Sequence, residues 1–168
     1  MSFYQNPRII LYTILMENYE IKDRKNFMNE LLMTDAYDMF LLKEAVIKTA
    51  NTYTIDGAEN KEFYGNDADI QTMESPYAYA PWQKMRPVIV GLIKGRHTPI
   101  SMRIVLYLNP ELAANILESN GSAVDYLTLN VRFNEGALSL STGVAYREFT
   151  MDKEADRLWD AYMAKRLE

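Results

Sequence analysis

Hydrophobic and polar residues alternate most regularly between residues 100 and 108. Every second position is apolar: Ile100, Met102, Ile104, Leu106 and Leu108. This period of two is typical of a β-strand with one buried face. The alternation returns at residues 127–133 and 138–144, and the sequence Asn-Glu-Gly at 134–136 favours a turn between them. The pattern therefore predicts one strand and, further along, an antiparallel hairpin.

Other segments show the three-to-four-residue apolar spacing of amphipathic helices. Asp23 is a predicted N-cap for a helix over residues 24–33, and further helices are predicted to begin near Asn109 and Asp152. A fourth begins near Pro81 and Pro87, because proline is tolerated in the first turn of a helix but not deep inside. Its apolar stripe is Val88, Ile89, Leu92 and Ile93, and Gly95 ends it.

Residues 40–55 are rich in β-branched and aromatic residues and predict a second long strand that turns at Asp56-Gly57. The polar residues 58–76 that follow predict a long loop. In the C-terminal hairpin, three hydroxyl residues fit the polar outer face of a sheet: Ser139, Ser141 and Thr142.

The order of these elements predicts the fold class. Helices alternate with strands, and the chain closes with a β-hairpin followed by a helix. We expect an α+β domain, with a single layer of mixed or antiparallel sheet and helices packed on it, over residues 17–168. Residues 1–16 are predicted to be an N-terminal extension or residues translated from an upstream start.

The apolar run at residues 9–16 has three interpretations: a β-strand, a hydrophobic extension, or upstream residues before a natural start at Met16. It is too short for a membrane-spanning helix, which needs about 20 residues. It also lacks the basic beginning and small-residue cleavage site of a signal peptide. We therefore expect a cytoplasmic protein without a membrane span.

Composition restricts the chemistry. The chain has no cysteine, which excludes disulfides and cysteine-based metal sites, and its single histidine excludes a site built from several histidines. No phosphate-binding glycine loop and no catalytic triad spacing is present. The sequence therefore identifies no catalytic residue, metal or cofactor, and it leaves enzymatic activity uncertain.

The distribution of charge provides one lead. The chain has 18 Lys and Arg against 23 Asp and Glu, but no carboxylate lies between Glu74 and Glu111. This acid-free stretch carries a set of basic residues that we call the basic segment: Lys84, Arg86, Lys94, Arg96, His97 and Arg103. A positive region in an acidic protein is a place where an anion can be held.

We therefore predict a binding site on the basic segment, with Tyr107 or Trp82 as a flat stacking surface. The expected ligand is an anionic small molecule, such as a phosphorylated metabolite, or single-stranded nucleic acid. The competing interpretation is a solvated loop with an arginine paired to a carboxylate from elsewhere. Glu44 lies inside an apolar strand and is expected to be paired or at an edge.

Two other functions remain open. One is a small enzyme with a site between loop 58–76 and the basic segment, in which Asp67 or Asp69 works with His97. The other is an interaction or oligomerisation module, in which Tyr77, Tyr79 and Trp82 contact a protein partner or a second copy of the chain.

Several blocks taken together resemble a known family. They are residues 27–32, 40–45, 54–57, 92–95, 98–101 and 129–133, with Trp82, Arg86-Pro87, Thr142-Gly143 and Asp152…Trp159-Asp160. The set is similar to a family of short bacterial proteins from anaerobic Firmicutes, known only as a domain of unknown function. The resemblance covers about Met16 to Leu167, and members of the family begin near Met16. It implies no activity, ligand or catalytic residue.

Overall fold

The computed structural model describes residues 9–14, 16–64 and 77–168. A seven-stranded sheet organises these residues, and each strand pairs antiparallel with its neighbours. The strands are β1 (Ile9–Ile14), β2 (Met16–Ile21), β3 (Phe40–Lys48), β4 (Thr52–Asp56), β5 (Ser101–Leu108), β6 (Val124–Asn134) and β7 (Ala137–Tyr146). Across the sheet the order is β1-β2-β7-β6-β5-β3-β4.

Four α-helices are seen in the described ranges: α1 (Arg24–Met33), α2 (Trp82–Ile93), α3 (Pro110–Leu117) and α4 (Glu154–Arg166). Their buried residues form one core with a single face of the sheet, the face that carries Met102, Ile104, Leu106 and Leu108. We call this the covered face. The predicted α+β class, the helices packed on one sheet, and the closing hairpin and helix are confirmed.

The hairpin between β6 and β7 follows from its two turn residues. Asn134 pairs with Ala137, so Glu135 and Gly136 alone make the turn. Both have positive φ, 50° and 79°, as the tightest hairpin turns require. The predicted N-cap of α1 is also confirmed, because the Asp23 side chain accepts a hydrogen bond from the Asn26 amide.

The prediction of one strand over residues 40–55 is wrong. The segment forms a hairpin, β3 and β4, whose turn lies at Thr49–Asn51 and is closed by a bond from the Thr49 amide to the Asn51 carbonyl. The period of two continues across the turn, since Ile47 pairs with Tyr53 and Ala45 with Ile55. Paired residues point to the same face, so alternation alone does not distinguish one strand from two.

Pro87 lies inside α2 and not at its start. A proline there removes the bond to the carbonyl four residues earlier, that of Gln83. Both residues are exposed, so water can reach that carbonyl. The predicted apolar stripe is also corrected, because Val88 is 48% exposed while Ile89 is fully buried.

Helix α4 is fastened to the covered face by side-chain hydrogen bonds. Thr142 donates to the Asp160 carboxylate, and Trp159 donates its indole N–H to the carbonyl of Thr128 at 2.8 Å. The prediction that Thr142 lies on an outer polar face is therefore wrong, since its side chain is buried beneath α4. Its neighbours Ser139 and Ser141 have the opposite orientation and lie on the other face.

The apolar N-terminal run forms a strand, one of its three predicted interpretations. β1 pairs along its length with β2, and β2 pairs in turn with β7 through Asn18, Tyr19 and Glu20. Tyr19 is fully buried in the core. The domain boundary near residue 16 and the natural start at Met16 stay predictions. No helix in the described ranges is long and apolar enough to cross a membrane.

Candidate functional site

The sheet has a second face on which none of the described helices packs, and we call it the open face. Its composition follows from the strand register. Arg103 on β5 pairs with Arg132 on β6, and Tyr107 pairs with Thr128. The β7 positions that continue the same face are small or polar: Ser139, Ser141, Gly143 and Ala145. The open face therefore joins aromatic, charged and small residues on one half-exposed surface, and its charges include the carboxylates of Glu44, opposite Val105, and Glu20, opposite Ser139.

Three tyrosines meet on this face, and we call them the tyrosine cluster. The rings of Tyr107 and Tyr126 are stacked, with centroids 4.3 Å apart and planes within 8°. The ring of Tyr79 meets both edge-on, at 5.1 and 5.6 Å. The Lys43 ammonium lies 5.5 Å from the centre of the Tyr79 ring. Each ring fixes the others, so the cluster is a rigid aromatic group.

The hydroxyls of Tyr107 and Tyr126 are uncharged at neutral pH. Partial burial raises the pKa of Tyr107 above its ordinary value, with smaller contributions from Tyr79 and Asp125. Partial burial raises the pKa of Tyr126 as well, helped by the carboxylate of Asp125. The two hydroxyls therefore stay protonated and can donate hydrogen bonds to an anion without repelling it.

Gly57 makes room for the segment that carries Tyr79. The Leu42 amide bonds to the Ala80 carbonyl, and the Ala80 amide bonds to the Gly57 carbonyl, both at 2.8 Å. Residues 79–81 therefore lie along the edge of β3 at the end where β4 does not pair with it, and the bridge between Leu41 and Pro81 holds them there. A Cβ at residue 57 would lie 1.8 Å from the Leu42 carbonyl oxygen, so only glycine permits this approach.

Arg103 and Arg132 are cross-strand neighbours on the open face. Arg103 donates to Glu44 at 2.7 Å, and 40% of the arginine side chain remains exposed. Arg132 is exposed and forms no ion pair within the described ranges. Two like charges at adjacent positions repel each other, so an anion bound between them relieves an unfavourable interaction. Glu44 is paired, as expected for a charge inside an apolar strand.

The structure does not bring the basic segment together. Arg86 lies on α2 and makes two bonds to the Asp38 carboxylate, each 3.0 Å long. These bonds raise the pKa of the Arg86 guanidinium and occupy its Nε and Nη2 donors. Arg103 lies on the opposite side of the sheet from α2. Residues close in sequence are therefore divided between the two faces.

Lys94, Arg96 and His97 are exposed in the connection between α2 and β5. The connection ends at Ile100, whose amide bonds to the Lys48 carbonyl at 2.8 Å. Its basic residues therefore lie near the end of the sheet at which β5 begins. Lys94 also lines the groove between α1 and α2.

Lys84 faces the described part of the predicted loop. Its ammonium lies 3.4 Å from the Tyr64 hydroxyl, at a pocket of about 230 Å³ that Asp56 and Glu59 also line. Oε1 of Glu59 is buried and has no hydrogen-bond partner within the described ranges. His97 does not line this pocket. Asp67 and Asp69, the other residues of the predicted enzyme site, lie outside the described residues.

The three residues predicted to contact a protein partner, Tyr77, Tyr79 and Trp82, do not share one surface either. Trp82 is fully buried, and its indole donates to the Leu31 carbonyl at 2.9 Å. It is a core residue and presents no stacking surface to a ligand. Tyr77 donates to the side chain of Asn109, and Tyr79 belongs to the tyrosine cluster. Of the two predicted stacking residues, Tyr107 alone is on the open face.

The sequence analysis does not single out two residues of the open face, Tyr126 and Arg132. Their position on that face is nevertheless predictable, because the even-numbered residues 126–132 alternate with the apolar residues 127, 129, 131 and 133 and so lie on the other face of β6. What the sequence lacks is the register that sets Arg132 beside Arg103. Within the described ranges, no group of three or more His, Asp or Glu side chains is arranged to hold a metal ion.

The fold and the site define a class: an α+β domain with helices on one face of an antiparallel sheet and an aromatic, arginine-bearing surface on the other. The chain belongs to a family of unknown function, DUF5721, whose family model matches residues 30–168. Strand β2 lies before the matched range but is hydrogen-bonded into the sheet. The chain shows no significant match to a curated protein or to a solved structure.

Proposed function

We propose that this protein is a non-enzymatic binding domain that holds single-stranded nucleic acid on the open face of its sheet. The observation that carries the proposal is the tyrosine cluster beside the arginine pair Arg103 and Arg132. Single-stranded nucleic acid offers flat bases and regularly spaced phosphates, the two features that such a surface recognises. A cytoplasmic location is part of the proposal.

The spacing of the two groups supports a ligand of several nucleotides. Tyr107 and Arg103 point to the same face of β5 and are four residues apart. At a rise of about 3.3 Å per residue, their Cα atoms are separated by roughly 13 Å. A ligand of two or three nucleotides reaches both.

The tyrosines suit this ligand chemically. Every base has a flat face, so stacking on an aromatic ring contributes about 1–3 kcal/mol per base without demanding a sequence. The hydroxyls of Tyr107 and Tyr126 stay protonated, as their raised pKa values require, and so donate to phosphate or base oxygens. We therefore expect binding with little sequence preference.

The charge balance limits the affinity. The whole chain has a net charge of −5, so phosphates are repelled at long range and attracted only near Arg103 and Arg132. Glu44 already neutralises part of the Arg103 charge. Few phosphates are contacted, and we expect dissociation constants in the micromolar range with a shallow salt dependence.

Fluorescence anisotropy with labelled oligothymidylate and oligouridylate of about ten nucleotides tests the proposal. Arg132→Ala is expected to weaken binding about tenfold and to reduce the salt slope by about one contact. Tyr126→Ala is expected to weaken binding by a similar factor without changing that slope. The matched controls are Arg157→Ala and Tyr162→Ala on α4, both on the helix side of the sheet, and they should bind like wild type.

The result separates the possible ligands. If phosphorylated metabolites protect the protein against heat and oligomers do not, the anionic small molecule replaces nucleic acid as the ligand. The proposal fails if neither ligand binds wild type, or if the α4 controls reduce binding as much as the open-face variants.

A further inference from the structure

A groove runs between α1 and α2, away from the open face. The helices are antiparallel, because Trp82 at the start of α2 bonds to Leu31 near the end of α1, and Lys94 after α2 lines the same groove as Lys25 at the start of α1. The groove has a volume of about 670 Å³. Its apolar lining comes from both helices: Met28, Leu32, Met33, Val90 and Ile93.

The apolar lining of this groove is more exposed than the fold requires. Met33 lies at the end of α1 and is 62% exposed. Met28, Val90 and Ile93 are only partly buried against the core. Methionine side chains are flexible and polarisable, and they are common on surfaces that accept a helical partner. The lining therefore forms an apolar surface with room for a further element.

Two cations line one end of the groove. Lys25 lies in the first turn of α1, and Lys94 directly follows the last residue of α2. Among the described residues, Asp23 is the only carboxylate in the lining. Its side chain caps α1 by accepting from the Asn26 amide. The charge at this end is therefore positive, although the whole chain is acidic.

We propose that this groove binds an acidic amphipathic helix of a partner protein. A groove between two helices offers no free strand edge, so a helix that inserts apolar side chains spaced three and four residues apart is the element that fits. Acidic residues on the flanks of that helix would pair with Lys25 and Lys94. α1 has ten residues and spans about 15 Å, so about ten residues of the partner would contact the groove.

A second copy of the chain is a poorer occupant of the same groove. A symmetric contact would place this surface against itself. Among the described residues, the same surface on a second copy offers one lining carboxylate, Asp23, and that side chain already caps α1. A second copy therefore brings no acidic flank to Lys25 and Lys94, whereas an acidic partner does.

The test uses a fluorescent peptide of about 14 residues, with leucines spaced three and four apart and glutamates on the flanks. A second peptide carries lysines in place of the glutamates, with the same leucines. We expect the acidic peptide to bind the full chain with a Kd of roughly 10–100 µM and the basic peptide to bind at least about tenfold more weakly.

Two pairs of variants locate the binding. Lys25→Glu with Lys94→Glu should weaken the acidic peptide at least about tenfold and strengthen the basic one, whereas Arg157→Glu with Lys165→Glu on α4 should change neither by more than about twofold. Met33→Ser should weaken both peptides about threefold to tenfold, and Met151→Ser, at a methionine that is 85% exposed elsewhere, should not. Circular dichroism checks that each variant is folded.

Three results would overturn the proposal. The first is no binding of the acidic peptide below about 1 mM. The second is equal binding of the acidic and basic peptides. The third is a concentration-dependent dimer, seen by sedimentation of wild type and lost in Met33→Ser, which would make a second copy the occupant.

Discussion

The two faces of the sheet come from the same strands but follow different rules. On the covered face, most side chains are apolar and buried, as for Ile104, Leu106 and Leu129, and Thr142 is the buried polar exception among the described residues. On the open face, the intervening positions hold tyrosine, arginine, serine and glycine, and most are half-exposed. A sheet with one solvated face needs polar residues there, but it does not need stacked tyrosines or adjacent arginines. The covered face explains the fold, and the composition of the open face requires a further explanation.

The largest expected difference between the faces is in stability. Leu106→Ala removes a fully buried side chain and should lower the free energy of unfolding by about 2–5 kcal/mol. Val105→Ala, the next residue but on the open face, should cost less than about 1 kcal/mol. Urea denaturation of the two variants measures both values. Equal losses would mean that the open face is covered in the folded protein.

Tyrosine ionisation should also differ between the faces. Tyr37 is buried on the helix side, and burial raises its pKa to about 12, opposed by the nearby Arg166 guanidinium and assisted by Glu30. Because the pKa in the folded state exceeds the ordinary value, its contribution to stability is complete below pH 10 and is lost as the pH rises from 10 to 12. That contribution is on the order of 2 kcal/mol.

Denaturation at pH 9 and pH 11.5, with Tyr37→Phe as the comparison, measures this effect. The variant should lose less stability between the two pH values than wild type does. Tyr107→Phe on the half-exposed face should change the difference less. A loss in Tyr37→Phe as large as in wild type would assign the pH dependence to other groups.

Gly143 provides a smaller test of how flat the open face must be. A Cβ at this position would lie 2.8 Å from Oγ1 of Thr128 on the neighbouring strand. Gly143→Ala is therefore expected to destabilise the protein by about 1 kcal/mol. In the presence of Thr128→Ser the clashing oxygen remains, whereas Thr128→Ala removes it and should recover most of the loss. If Gly143→Ala lowers the free energy of unfolding equally in the Thr128→Ser and Thr128→Ala backgrounds, the contact with Oγ1 of Thr128 is not the cause of the loss.

The smallest expected effect on stability concerns Glu44. Its ion pair with Arg103 is partly exposed, so Glu44→Gln should change the free energy of unfolding by less than about 1 kcal/mol. The same change frees the Arg103 guanidinium and should strengthen oligonucleotide binding by about twofold to fivefold. Anisotropy titrations compare it with Glu154→Gln, which breaks the ion pair with Arg157 on α4. Weaker binding in Glu44→Gln would place the ligand away from Arg103.

The sequence predicts those parts of the fold that depend on neighbouring residues. Strand β5, the turn at Glu135 and Gly136, and the cap at Asp23 follow from short-range rules and are confirmed. The turn at Thr49–Asn51 was missed because the alternation of faces is the same on both sides of it. The strand order was not predictable, since no local pattern sets β2 beside β7.

The site was less predictable than the fold, because nearness along the chain does not show on which face of the sheet a residue lies. Arg86 and Arg103 belong to one acid-free stretch, yet one lies among the helices and the other on the open face. Trp82 reaches a partner 51 residues away, the Leu31 carbonyl, and this contact makes it a core residue. Arg132 joins Arg103 only through the pairing of β5 and β6.

The pairing of β2 with β7 has a consequence for the growing chain on the ribosome. Asn18 pairs with Ser141, so 123 further residues, the difference between 141 and 18, must be made before both are present. At about 5–20 residues per second, synthesis of that length takes roughly 6–25 s, during which β2 can pair with β1 but not with β7. Contacts between such distant residues form late, while the hairpins of β3 with β4 and β6 with β7 are local. We therefore expect the N-terminal strands to be the last part of the sheet to close.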